Sequence, residues 1–141
     1  MLLIKECDVI RMKLPYPNIE SNLALQAHMY ICKCVDYPHF EFVKCQTLKP
    51  YMLINNPLKH FCDEKADIMR NPFVKTTRID CDKVISTQGL DYSETLLTSR
   101  RRDICCDLYD TVMTELNADG YNSILPDEDV MVSINSEIVY V

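Results

Sequence analysis

Apolar and polar positions alternate strictly near the start of the chain: Val9, Arg11 and Lys13 fall on one parity, Ile10, Met12 and Leu14 on the other. A period of two predicts a half-buried strand with Arg11 and Lys13 on one face. Pro15, Pro17 and Asn18 break it and open a loop. The apolar pattern resumes from Met29 to Val35 and stops at Asp36. Tyr37, Pro38 and His39 make a tight connection, and Phe40 to Cys45 returns as the next strand. Phe42 and Val43 both favour extended backbone. Pro50 lacks a backbone donor and biases Lys49 away from helix, so this strand ends there. Its mouth carries Gln46, Thr47 and Lys49. Alternation returns once more, Thr76, Arg78, Asp80 and Asp82 against Thr77, Ile79 and Cys81, and predicts a strand over Thr76 to Ile85.

The pattern is different elsewhere. Asn55, Asn56 and Pro57, then Asn71 and Pro72, bracket an irregular stretch over 51–75 with one helical turn expected around Asp63 to Met69. A connection this long inside a compact domain is generally functional or flexible. From Ser93 onward, Ile104, Leu108, Tyr109, Val112, Met113 and Leu116 recur at three- and four-residue spacing, one apolar helix face. Ser99 is the expected start, Asp119 and Gly120 the stop. Asp103, Asp107 and Asp110 then form a solvated face. The runs VMVSI and EIVYV, with Asn135 and Ser136 between them, predict a terminal hairpin or an edge strand that pairs with a partner. Strand, loop, strand, short turn, strand is the grammar of a meander in a curled sheet or small barrel. The expected architecture is therefore mainly β with a C-terminal helix, α+β, in one domain. Its strands occupy about 5–88, its helix about 99–118 and its tail or hairpin 121–141.

Composition narrows the class. The chain's 141 residues suffice for one core without staples, and 48% apolar with 26% charged residues are ordinary proportions for a soluble protein. No apolar run reaches spanning length and no charged start leads into a signal segment, so a cytoplasmic protein without a membrane is expected. Eight cysteines occur without a Cys-x-x-Cys pair. They read as buried reduced thiols, with a metal site drawn from Cys32, Cys34, Cys45, His60 or Cys62 as the lesser alternative. The net charge of −6 argues against a surface that grips nucleic acid everywhere. A local basic cleft is compatible with it, because Arg11, Lys13, Lys44, Lys49, Arg70, Lys75 and Arg78 crowd the first eighty residues. Two glycines leave no phosphate-cradling glycine loop.

Four segments, in order, resemble the MazF/PemK family of toxin ribonucleases. Cys7 to Pro17, CDVIRMKLPYP, is similar to the family's opening Gly-Asp, alternating strand and proline turn, with Cys7 in the glycine's place. Gln26 to Cys34 resembles its second, apolar strand. Cys45 to Pro50, CQTLKP, resembles the segment that ends its third, with Thr47 on the family's threonine. Asn71 to Ser86 is similar to a later strand. The resemblance spans about 5–118 and implies an SH3-like curled barrel. It implies a metal-independent endoribonuclease that cuts single-stranded RNA without a cofactor, forms a homodimer and is neutralised by an antitoxin protein. Residues 14–32 hold no arginine or lysine, so the arginine that the family places in this loop has no counterpart.

RNA cleavage without metal needs a group to take the ribose 2′-OH proton, a group to protonate the leaving oxygen, and donors or cations for the added phosphorane charge. His28 is the natural acid or base because histidine titrates near neutrality. Thr47 and Arg78 complete the expected catalytic set, and Arg11, Gln46 and Lys49 the expected substrate-binding set. Tyr30, Tyr37, Phe40 and Tyr51 are candidates for stacking on unpaired bases. The rival expectation is the same SH3-like barrel used as a non-catalytic binding or interaction module.

Overall fold

The computed structural model describes residues 3–15 and 26–141. Most of the loop after Pro15 lies outside the described residues. Five strands make the main path of one sheet: β1 (Val9–Met12), β2 (His28–Asp36), β3 (His39–Thr47), β4 (Phe61–Glu64) and β5 (Thr77–Asp80), in the spatial order β1-β2-β3-β5-β4. All these neighbours are antiparallel. Strand β3 is shared. Its C-terminal half pairs with β5 and its N-terminal half with β6 (Lys83–Thr87). Two partners on one edge of a strand require the sheet to curl at the break between them. Asp82 makes that break: its backbone N–H donates to Asp80 Oδ1 at 2.8 Å. Its carboxylate accepts from the N–H groups of Lys59 and His60. The single strand expected over Thr76 to Ile85 is therefore two.

Helix α1 (Cys106–Ala118) buries Leu108, Val112 and Leu116, and Asp119 with Gly120 (φ 78°) ends it, as the sequence predicts. Its start is later than Ser99. Before it, the backbone closes against β1: Val9 N–H donates to Arg102 O, Thr98 N–H to Val9 O and Ile104 N–H to Cys7 O. Ser93 instead caps a short 3-10 turn over Glu94–Leu96. The terminal hairpin is also replaced. VMVSI lies in α2 (Glu128–Ile134), where Asp127 accepts from Val130 N–H and Met131 is fully buried. EIVYV forms β9 (Ile138–Tyr140), paired with β7 (Leu90–Tyr92), while β8 (Asn122–Ile124) joins β6 in parallel. In place of the helical turn expected at Asp63 to Met69, β4 covers Asp63 and Glu64.

Both faces of the central strands are covered, which is why they read as near-continuous apolar runs. On one face Val9, Ile31, Val43, Cys45 and Ile79 pack with Phe73 and α1. On the other, Ile10, Met12, Tyr30, Phe42 and Ile85 pack with Tyr92, Leu96, Met131 and Ile138. The rings of Phe40 and Phe42 both meet Tyr92 edge-on, at centroid distances of 4.7 and 5.0 Å. The described architecture is mainly β with two α-helices, an α+β arrangement whose curled sheet is not a closed barrel. No helix among the described residues is long and apolar enough to cross a membrane.

Candidate functional site

The ends of β1, β2, β3 and β5 meet at one rim of the sheet. A cleft of about 270 Å³ opens there, lined by Arg11, His28, Thr47, Lys49, Lys75 and Thr77 among others. Register explains the grouping. Arg11 lies opposite Met29, Met29 opposite Cys45, and Thr47 opposite Thr77, so their side chains share the α1 face of the sheet. At the rim that face loses the cover of α1, and Phe73 forms the floor. His28, half-buried at the first position of β2, borders the cleft but lies opposite Met12, a residue of the face away from α1. Thr77 is buried and its hydroxyl donates to Lys75 O at 2.9 Å. That bond fixes the turn from which Lys75 projects.

The cleft runs on into a wider one of about 500 Å³, which Lys13, Ser99 and Arg100 line; Arg11, Ala27, Met29 and Val74 border both. Arg11, Lys13, Lys49, Lys75 and Arg100 are all exposed. Within the described residues none of these five forms an ion pair. By contrast Lys33, Arg70, Arg78, Lys83, Arg101 and Arg102 each hold a carboxylate. Among the described residues, Glu137 is the one acidic residue on either cleft's lining. A run of unneutralised cations on a chain of net charge −6 concentrates positive potential on one side of the molecule.

Two more of the expected site residues lie off the α1 face. Gln46 borders the cleft through its place in β3, but it lies opposite Arg78, on the other face of the sheet. Its amide nitrogen is 3.8 Å from Met52 Sδ. Arg78 is 4% exposed and fully engaged. Its Nε and Nη2 donate to the two oxygens of Asp63 at 2.8 Å each, Nη1 donates to Met52 O, and its guanidinium lies 3.9 Å over the Phe61 ring. Asp63 is thus its partner, supplied by the neighbouring strand β4. Arg78 serves the fold and leaves the cleft to Arg11, Lys49 and Lys75. Of the stacking candidates, Tyr30 and Phe40 are core residues, while Tyr37 and Tyr51 are exposed.

The cysteines divide between the two core layers. Cys32 lies on one face, Cys45 and Cys81 on the other, and all eight thiols are free. Burial pushes the Cys32 and Cys45 thiols far up, and the contact with the Cys62 thiol, with burial second, does the same for Cys81, so all three stay protonated. No group of three or more histidine, cysteine or carboxylate residues among those described is arranged to hold a metal. His60 is occupied otherwise, between Glu115 Oε1 and Asp119 Oδ2 at 2.8 Å each.

Lys75 and Thr77 are cleft residues that the sequence pattern did not single out as site residues. Their signal was the alternation that placed Thr77 beside Thr47 once β5 was paired with β3. No family model, no curated protein and no solved structure matches the chain.

Proposed function

We propose that the protein is a MazF/PemK-like toxin, built on an SH3-like curled sheet, that cleaves single-stranded RNA in the rim cleft. The carrying observation is the row of exposed cations, Lys49, Lys75, Arg11, Lys13 and Arg100, without ion pairs among the described residues, along two adjoining clefts that His28 and Thr47 also border. A flexible polyanion is the ligand such a track suits. Phosphates lie along it, and affinity comes from their neutralisation. A second observation bears on the resemblance. Cys7 has φ 77°, in the left-handed region that favours glycine, at the position where the family carries glycine.

In this reading the ribose next to the scissile phosphate sits against His28. The imidazole takes the 2′-OH proton as O2′ attacks phosphorus. The P–O5′ bond breaks, the departing 5′ oxygen takes a proton from water in the open cleft, and a 2′,3′-cyclic phosphate results. Thr47 Oγ1 donates to a non-bridging oxygen, while Lys49 and Arg11 neutralise the charge added in the phosphorane. No step calls on a metal or cofactor. Leu53, Ile54, Met69 and Val74 are exposed apolar side chains, and they offer the surface that a second copy and an antitoxin need.

Incubation of the purified protein with a single-stranded RNA in the presence of a chelator tests the reading. Fragments ending in a cyclic phosphate support it, and intact RNA at every concentration opposes it. A second reading, a non-catalytic binding module on the same sheet, is favoured by the removal of Arg78 into its pair with Asp63. It predicts RNA binding without cleavage.

A further inference from the structure

The opposite face of the sheet holds a second pocket, of about 270 Å³, beneath the 3-10 turn Pro50–Leu53 and the loop that follows it. Liquid water would fill that volume with about nine molecules. Leu14, Tyr30, Leu58 and Ile85 supply apolar walls, and Lys44, Arg78, Asp80 and Lys83 the charges. The charges do not balance locally. Arg78 is matched by Asp63, and Lys83 Nζ sits 3.0 Å from Asp80 Oδ2. Lys44 projects from β3 beside Tyr30, its cross-strand partner, and has no hydrogen bond or ion pair among the described residues. Its side chain is only partly exposed, and burial pulls the ammonium below the usual lysine range, with Asp80 partly offsetting this. A desolvated cation without a partner is costly, and a ligand that supplies one negative charge removes that cost.

We propose that this pocket binds a small organic carboxylate, its charge on Lys44 Nζ and its apolar body against Leu14, Tyr30, Leu58 and Ile85. One unmatched positive charge selects a monoanion over a phosphate dianion. The apolar walls select an organic body over an inorganic ion. The loop over 53–58 contributes Asn56, Pro57 and Leu58 to the lining. This gives the long connection between β3 and β4 a role that its irregular sequence suggests but does not specify. The site is separate from the rim cleft, apart from Gln46, which borders both.

Titration of the full chain with benzoate, and with benzyl alcohol as its neutral counterpart, followed by backbone amide shifts, tests the assignment. Benzoate is expected to shift Tyr30, Leu58 and Ile85 and to bind about tenfold or more tightly than benzyl alcohol. Lys44→Met is expected to bring benzoate down to the level of the alcohol. That variant keeps the side chain's length and removes an unmatched charge, so its Tm should equal or exceed that of the wild type. Equal binding of the two probes, an unchanged benzoate affinity in Lys44→Met, or no shifts at millimolar benzoate would overturn the proposal. Displacement of benzoate by an oligouridine would instead assign the pocket to the nucleic acid and overturn it as well. RNA cleavage is not measured in any arm, so the outcome is independent of the ribonuclease reading.

Discussion

Arg78 and Asp63 face each other across the β4–β5 ladder in a two-pronged pair, both N–H···O distances being 2.8 Å. The arginine side chain is 5% exposed and the aspartate 32%. Loss of the aspartate leaves a buried guanidinium with Met52 O and the Phe61 ring as its remaining partners. Asp63→Ala should therefore destabilise the fold by about 2–4 kcal/mol, the partly exposed carboxylate bringing the cost below that of a fully buried pair. Urea unfolding measures it. The double variant Asp63→Leu/Arg78→Met should recover most of the loss, because an apolar pair leaves no charge stranded. If Asp63→Ala is neutral, the pair is not what holds β4 to the sheet.

A second pair ties the chain's beginning to the segment before α1. Asp8 is fully buried and accepts from Arg102 Nε at 2.9 Å and Nη2 at 2.6 Å. It also accepts from the Lys5 N–H at 2.8 Å. Arg102→Ala should cost about 3 kcal/mol by leaving that carboxylate with a single donor. Arg100→Ala, two residues earlier on the exposed cleft wall, should leave stability unchanged within about 0.5 kcal/mol. Thermal unfolding of the two variants side by side separates them. The run of three arginines is thus divided between structure and cleft.

His60 predicts a pH dependence. Hydrogen bonds that its ring donates to Glu115 first and Asp119 second raise its pKa above the ordinary histidine value. A group raised in the folded state contributes stability that is fully present below the unfolded pKa and is lost as pH rises through the folded one. Tm should accordingly fall as pH climbs through and above the neutral range. His60→Gln should flatten that slope. An unchanged slope in the variant would assign the dependence to another group.

Strand β1 was legible from its period-two alternation, and β2 and β3 from apolar runs punctuated by Asp36, Pro38 and Pro50. So was the apolar stripe of α1. What escaped the pattern depends on contacts distant in sequence. Segment 97–104 resembles helix locally, yet it spends its backbone groups on Cys7 and Val9. VMVSI is rich in β-branched residues, yet the Asp127 cap and the burial of Met131 hold it as helix. In the candidate site, Arg11, His28, Thr47 and Lys49 do converge on one cleft. Arg78 could not be separated from them by sequence. Its fate depends on Asp63, fifteen residues earlier in a stretch whose pattern gave no strand.

The central claim is that the rim cleft cuts RNA, and one assay reaches it directly: cleavage of a labelled single-stranded RNA by wild type, His28→Ala and Thr47→Val in chelator. The account predicts cyclic-phosphate fragments from the wild type, a loss of about 100-fold or more in His28→Ala and a smaller loss in Thr47→Val. All three proteins should bind the RNA alike. Intact RNA with undiminished binding would contradict the enzyme and leave the binding module. Cleavage that survives His28→Ala would contradict the role given to that residue.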